Sequence, residues 1–487
     1  MKSRGASVVL VNPPITREQR EGPLGPVIRN LYFNSPPLGI AYIAALLERE
    51  KVPVQVFDAA VENWTMEETV ERIRATGADV VGLTSTTNFF GNALDLARRL
   101  KAADPDAFLV VGGPHASSNP ERVMEHACFD VVCIGEGEYA MLELVRALAS
   151  GADVGGVQGL AFRRDGRVVF SGPRPLLEDL NDLPMPARHL LPLHKYVPQP
   201  NDGPYLPKTA MISSRGCPYL CTFCDHGIFG NKYRTFSAVR IVDEMEELVT
   251  RHGIRDIAFV DSLFMVSRRR VNDIVDEILR RGLRVHWTCT IRANVADREI
   301  LARMKSAGCW RVRIGVEAGD PEVLKLIRKD VSLDQVRSVV RAADELGLHP
   351  KGFFMVGHIG ETRGKIEKSI ALSRELPLTD ITVQINTPLP GAPQWNVYEK
   401  YGKLISTDLA AFSFWEPVFV PNGMTREELQ ELHRRFYRAF YLRPIIVWRH
   451  LKMLRGPSDI RRYARALSLL VGMFIRRRRQ PERTAPS

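Results

Sequence analysis

Two successive α/β architectures are predicted for this 487-residue chain: a flavodoxin/Rossmann-like parallel sheet, then a partial (β/α)6 barrel related to the eightfold barrel, followed by a basic α-helical C-terminal region. Three observations predict them. Over residues 1–150 short apolar runs alternate with helical periodicity, the pattern of a parallel sheet wrapped on both faces. From about residue 208 the alternation resumes with a longer period. Beyond 405 the strand pattern stops and arginines accumulate. The chain therefore divides into 1–150, a connector 151–205, a second α/β unit 206–404 and the basic region 405–487, more than one ordinary domain can hold.

Within the first unit, strands read as Val8–Asn12, Val54–Asp58, Val80–Leu83, Leu109–Gly112 and Val131–Ile134, with helices near 37–50, 66–76, 90–102, 120–127 and 138–149. Such sheets bind ligands outside the carboxyl ends of their strands. Those ends carry Asn12-Pro13-Pro14, Thr84-Ser85-Thr86-Thr87, Gly112-Gly113-Pro114-His115 and Gly135-Glu136-Gly137-Glu138. Glycine there lets the backbone approach a bulky ligand, although a tight turn uses it equally well. The connector opens on a hairpin, Gly159–Arg164 and Arg167–Phe170 around Asp165-Gly166. It continues through Pro184, Pro186, Pro192, Pro198 and Pro200 as an extended wrap between domains.

The second unit reads as strands Thr209–Ser213, Asp256–Val260, Val285–Cys289, Arg311–Gly315, Gly352–Val356 and Ile381–Ile385, with helices near 237–252, 268–281, 297–306, 333–346 and 362–375. Barrels of this kind place their sites at the C-terminal strand ends. Directly after the first strand comes Cys217-Pro218-Tyr219-Leu220-Cys221-Thr222-Phe223-Cys224. Three thiolates on one loop can hold three corners of an iron–sulfur cube and leave one iron open. An open coordination position means chemistry, as in catalytic zinc sites. A Cys3His zinc site completed by His226 is the competing reading, with no second Cys/His pair nearby. Three is an odd number for disulfides, and nothing marks the chain as secreted. Cys128, Cys133, Cys289 and Cys309 sit singly in apolar runs, as buried free thiols do. Later strand ends carry Asp261-Ser262, Arg292 and Gly315-Val316-Glu317-Ala318-Gly319-Asp320-Pro321.

The C-x3-C-x2-C loop, with Phe223 before its last cysteine, resembles the signature of the radical S-adenosylmethionine (SAM) superfamily. The resemblance implies that Cys217, Cys221 and Cys224 bind a [4Fe-4S] cluster whose open iron takes the amino and carboxylate groups of SAM. The block 315–321 looks like the superfamily's G-x-E-x-G segment, which sets Glu317 against the polar part of SAM; a carboxylate placed at a helix N-terminus is the plain alternative. Arg292 matches a partner for the SAM carboxylate, with an ordinary surface arginine as its alternative, and Phe223 and Asp261 complete the SAM set. Gly357-His358-Ile359-Gly360-Glu361-Thr362 and Pro388-Leu389-Pro390-Gly391 match later loops, except that His358 stands where a smaller or apolar residue is expected.

Motif order over roughly residues 6–400 further resembles the cobalamin-binding radical SAM group. That implies that Asn12, Ser85, Thr86, Gly112, Gly113, Gly135, Glu136 and Gly137 line the corrin and its nucleotide tail. One departure matters. Where many cobalamin domains have D-x-H-x-x-G, this chain reads Asp58-Ala59-Ala60-Val61-Glu62-Asn63, so the cobalt would receive no imidazole from that loop.

No Ser–His–Asp set, Walker loop or zinc-protease motif appears, which leaves the hard chemistry to cofactors. By resemblance, SAM is cleaved to a 5′-deoxyadenosyl radical that attacks an unactivated carbon, and cobalamin carries a methyl group to it. The expected reaction is C-methylation of a hydrophobic substrate such as a lipid or tetrapyrrole, driven by an electron donor such as flavodoxin or ferredoxin. Anaerobic magnesium-protoporphyrin ester cyclases, which the chain also resembles, carry the alternative of ring formation without methyl transfer. A non-enzymatic cobalamin sensor with a structural cluster conflicts with the open-iron motif.

Composition bounds the setting. With 45% hydrophobic and 25% charged residues the chain is a folded one. The apolar run after Met1 is too short for a leader, and no stretch reaches the roughly 18 apolar residues of a membrane span. Seven cysteines, three of them clustered, fit a reducing cytoplasm. The net charge of +11 is concentrated at the end: from Arg434 onward, fifteen Lys/Arg stand against Asp459 and Glu482. Helical patterns run over Leu432–Leu442, Ile445–Leu454 and Tyr463–Ile475, the last followed by Arg476-Arg477-Arg478-Arg479. Such segments lie on an anionic membrane surface or dock on the barrel. Nucleic acid is not expected, for want of an aromatic-interleaved platform. The predicted location is cytoplasmic, with a peripheral contact on the inner face of the membrane.

Overall fold

The computed structural model describes residues 7–17, 19, 35–196, 198, 203, 205–408, 411–412 and 414–454. Its first sheet contains β1 (Val8–Asn12), β2 (Val54–Asp58), β3 (Val80–Thr84), β4 (Phe108–Gly112), β5 (Val131–Cys133), β6 (Leu160–Arg164) and β7 (Arg167–Phe170). They lie in the order β2-β1-β3-β4-β5-β6-β7. Alternation along β1 explains its placement. Val8 and Leu10 pack with the helices Leu38–Arg49 and Gly137–Ser150, while Val9 and Val11 pack with Met66–Thr76 and Phe90–Ala103. Burial on both faces is what a continuous apolar strand implies. Because β1 pairs in parallel with β2 on one side and β3 on the other, the winding reverses there, and a crevice opens beyond Asn12 and Thr84.

One expectation shifts. The hairpin assigned to the connector pairs antiparallel with β5, Cys133 opposite Leu160, and so extends the first sheet past residue 150. Short apolar β6 (Leu160, Ala161 and Phe162 are buried) covers an edge that β5 would otherwise leave open.

The second sheet contains β8 (Lys208–Met211), β11 (Asp256–Phe259), β12 (His286–Ile291), β13 (Cys309–Glu317), β14 (Lys351–Val356) and β15 (Asp380–Ile385). They run β15-β14-β13-β12-β11-β8, every neighbour parallel. The predicted partial barrel of six β/α units is thus present. Ser237, Ser267, Asp297 and Ser332 start its outer helices, each side chain accepting a backbone N–H. A two-residue ladder, β9 (Ser214–Arg215) antiparallel to β10 (Arg234–Thr235), interrupts the pattern between β8 and β11.

After a small hairpin of β16 (Gly402–Leu404) and β17 (Phe419–Pro421), the helix Arg426–Tyr441 lies on β15. Its Tyr437 hydroxyl accepts from Val383 N at 2.9 Å and donates to Val383 O at 3.1 Å. This part of the basic region is therefore a docked helix. Tyr463–Ile475 and Arg476–Arg479 lie outside the described residues. No helix among the described residues is long and apolar enough to cross a membrane.

Candidate active site

The cysteine loop is gripped at its base. The β9–β10 ladder draws its two ends together, and Gly216 (φ 80) turns the chain immediately before Cys217. A Cβ on Gly216 would fall 2.2 Å from Lys232 O, so only glycine lets the loop close. Asp261, at the end of β11, accepts from Ser213 N (2.6 Å), Ser213 Oγ (2.6 Å) and Ser214 N (2.9 Å). Burial pushes its pKa up, against the pull of Arg270. Expected at SAM, this carboxylate also anchors the loop's entry, its buried oxygens engaged by the backbone and hydroxyl they hold.

Around the cysteines the charge is positive. Cys221 is buried, and Cys217 and Cys224 are half-buried. Arg292 Nη1 donates to Cys221 Sγ at 3.4 Å, while its guanidinium lies 3.6 Å from the centre of the Tyr219 ring. The same side chain also donates to Lys329 O. A hydrogen bond from Cys224, then the charges of Lys329 and Arg292, bring the Cys221 thiol down to about 6 against burial. Cys224, holding the shared proton, goes the other way. Three thiol donors backed by two cations fit an iron–sulfur cluster, which thiolates ligate. Among the described residues no group of three His, Cys, Asp or Glu side chains is arranged to hold a single metal ion.

The G-x-E-x-G segment has a distinct job for each member. Glu317 ends β13 with left-handed backbone (φ 63) at a register shift against β14. That conformation costs a non-glycine residue about 1 kcal/mol. It turns the buried carboxylate onto Lys329 Nζ at 2.7 Å. A Cβ on Gly315 would meet Glu317 Oε1 at 2.6 Å and Lys329 Nζ at 2.7 Å, so that glycine makes room for the ion pair. At Gly319 a Cβ would strike Lys368 O at 2.6 Å, so this glycine admits the helix Arg363–Glu375. Capping of the next helix falls to Asp320, which accepts from Glu322 N and Val323 N. Glu317 is thereby free of the helix-terminal role left open by the sequence.

The loop after β14 adds a polar pair in an apolar wall. His358 is fully buried with neither ring nitrogen hydrogen-bonded, and its ring centre lies 5.8 Å from that of Phe223. Burial, aided by the charge of Lys329, lowers its pKa to about 3. A neutral imidazole keeps one donor and one acceptor available. Glu361 Oε2 accepts from Gly357 N (2.6 Å) and His358 N (3.0 Å), and burial raises this carboxyl to about 8.

The first sheet meets the cysteine loop at its strand ends. Asn12 Nδ2 donates to Asp58 Oδ1 at 2.8 Å, and Asp58 Oδ2 accepts from Tyr196 at 2.7 Å. Ser85 is buried under Gly113, where a Cβ would sit 2.8 Å from Ser85 O; Thr86 beside it is exposed. Gly112 has ordinary room at Cys133, whereas a Cβ on Gly137 would press Ile43 at 3.0 Å. Gly135 N donates to Ser117 Oγ at 2.9 Å, and Ser118 donates to Asp225, one residue past the last cysteine. Ala60, at the place where histidine stands in D-x-H-x-x-G, is buried. Ser85, Gly113 and Gly135 thus stand at the strand ends beyond which such a sheet binds its ligand, and Ala60 offers no imidazole there.

Glu136 sits in a buried ion-pair network. Its Oε1 accepts from Arg215 Nη1 at 2.7 Å, and its Oε2 from Arg234 Nη1 at 2.8 Å and Leu177 N at 2.9 Å. Arg215 Nη2 also donates to Glu138 at 2.5 Å. All four charged side chains are buried. Glu136 joins the first sheet to the ladder that carries the cysteine loop, and Arg215 and Arg234 supply the counter-charge its burial demands.

Two family models match the two halves of this geometry: the B12 binding domain over residues 25–145 and the radical SAM superfamily over 211–373. A curated relative, an uncharacterized methyltransferase of Pyrococcus horikoshii, is 34% identical over 85% of this chain and 89% of its own length. The chain belongs to the cobalamin-binding radical SAM family. Other relatives include the anaerobic magnesium-protoporphyrin IX monomethyl ester cyclase of Rubrivivax gelatinosus, 28% identical over 84% of this chain and 74% of that one. The hopanoid C-3 methylase of Methylococcus capsulatus is 28% identical, over 80% and 73%. The fold matches that of the radical SAM methyltransferase TsrM from Kitasatospora setae, solved with cobalamin and a [4Fe-4S] cluster, at a TM-score of 0.70, 19% identity and coverage of 93% of this chain and 90% of that one.

As a cobalamin-binding radical SAM enzyme, the protein uses a [4Fe-4S] cluster, SAM and cobalamin. The structure sets Lys329, Arg215, Arg234 and Tyr219, none of them among the sequence-predicted site residues, around the cysteine loop and Glu317. Arg215 and Tyr219 border or lie within the cysteine motif, so their positions were visible; Lys329 carried no signal of its own.

Proposed function

We propose that this member of the cobalamin-dependent radical SAM methyltransferases C-methylates an unactivated carbon of a hydrophobic substrate of the lipid or tetrapyrrole kind. When bound, the three cofactors supply reductive SAM cleavage and a transferable methyl group. In this reading 1–150, enlarged by the hairpin, carries cobalamin, and 206–404 carries the cluster and SAM. Cys217, Cys221 and Cys224 ligate the cluster. Arg292 and Lys329 balance its thiolate charge, Glu317 and Phe223 face SAM, and Asp261 positions the loop. Asn12, Ser85, Thr86, Gly112, Gly113, Gly135 and Gly137 cradle cobalamin. An electron donor of the flavodoxin or ferredoxin type reduces the cluster, in the cytoplasm.

One observation carries the reading: the glycine-lined strand ends of the first sheet contact the cysteine loop directly, through Ser118 and Asp225 and through Glu136 and Arg215. A methyl carrier and a radical source would thus share one chamber. The hydrophobic substrate is supported by the hopanoid methylase and the protoporphyrin cyclase among the relatives. The test is anaerobic incubation of the reconstituted enzyme with methyl-labelled SAM and lipid or tetrapyrrole extracts. Label is expected in an extractable product. An unlabelled product with a new ring would transfer the assignment to the cyclase relatives, and label confined to water-soluble products would end the hydrophobic-substrate reading.

A further inference from the structure

We propose that the outward face of the helix Pro444–Lys452 docks on an anionic lipid bilayer, setting the enzyme at the phase that holds a hydrophobic substrate. The helix is apolar on its outward face as well as on its inward one. Its inward side holds Ile446 and Met453, which are buried, and Arg449, which grips Asp344 through two hydrogen bonds of 2.9 and 3.0 Å. Its outward side is apolar. Ile445 is 46%, Val447 49%, Trp448 55% and Leu451 53% exposed, with Leu442 at 68% just before the helix. Four large exposed apolar side chains on one nine-residue helix, with Leu442 beside them in sequence, exceed the scattered exposure normal for a protein surface and mark an interaction site.

Charge chooses the occupant. Lys452 Nζ lies 5.0 Å from the centre of the Trp448 ring, so the apolar face carries its own cation. The following residues, 455–487, bring nine arginines against Asp459 and Glu482, around the apolar stretch Tyr463–Ile475. Folding that stretch back over Trp448, or pairing the face with a second copy, would gather these like charges with few carboxylates to balance them. An anionic bilayer takes both features together: Trp and Leu enter the headgroup boundary while Lys and Arg reach phosphate. The inference deepens the hydrophobic-substrate reading, yet its test involves no turnover, so either can fail while the other stands.

The test is co-sedimentation of the full-length, cofactor-loaded protein with vesicles. One set is phosphatidylcholine with phosphatidylglycerol, the other phosphatidylcholine alone. Binding is expected to the anionic set only and to weaken with added salt. The double variant Trp448→Glu, Leu451→Glu is expected to bind roughly a hundredfold more weakly. Because both residues are more than half exposed, its iron and cobalamin contents should stay at wild-type levels. Absence of binding, equal binding to both vesicle sets, or unchanged binding by the double variant overturns the proposal. So does a wild-type dimer that the double variant turns into monomers, since the occupant would then be a second copy.

Discussion

His358 and Glu361 stand three residues apart in one buried loop and answer pH in opposite senses. Folded, Glu361 keeps its proton to about pH 8; unfolded, it loses it near 4.5, so its contribution to stability is lost as pH rises between them. Folded, His358 stays neutral down to about pH 3; unfolded, it gains a proton below 6.5, so its contribution is lost as pH falls through that range. The slopes oppose between 4.5 and 6.5, and above 6.5 only that of Glu361 remains. Glu361→Gln is expected to remove a fall in the urea midpoint between pH 6.5 and 8 that the wild type shows. A wild-type midpoint flat across that window would refute the buried acid. Neither behaviour was visible in the residues alone, since burial, and not the Gly-His-Ile-Gly-Glu-Thr motif, sets both shifts.

At the scale of elements, strands and helices were legible because each carries its period locally. Val8–Val11 alternates between two helix layers, and that alternation is written in four consecutive residues. The cysteines were legible for the same reason. What escaped were groups whose meaning depends on a distant partner. Glu136 meets Arg215 across 79 positions, and Asp261 meets Ser213 across 48. Neither contact is written in the residues that surround the glutamate or the aspartate in sequence. The clasp they reveal is testable. Arg215→Met leaves Glu136 and Glu138 buried without that partner, and a loss of about 3–5 kcal/mol in unfolding free energy is expected. Arg215→Lys should recover little, because one ammonium cannot reach two carboxylates as a planar fork does. Chemical denaturation of all three proteins decides it; a midpoint for Arg215→Met within error of wild type would show that the clasp adds nothing.

For the whole molecule, charge and chemistry occupy different regions. The net charge is +11, and 455–487 contributes nine arginines against two acidic residues, so a chain ending at Leu454 would fall to +4. That truncation is expected to elute much earlier from a cation exchanger at pH 7 while retaining full iron and cobalamin contents. Loss of either cofactor on truncation would mean that the tail takes part in the site. The boundary of the first sheet was misjudged from sequence because a hairpin reads alike whether it stands alone or prolongs a neighbouring sheet; only β5 pairing with β6 distinguishes the cases. The Glu136–Arg215 clasp bears on how the protein is made. As the ribosome releases this chain, the cobalamin half is complete while Glu136 and Glu138 still lack their cations, which lie 79 and 77 positions downstream of them in Arg215. Grafting that half onto another radical SAM barrel would demand arginines at the places of both Arg215 and Arg234, or the transplant would carry two naked anions inside its seam.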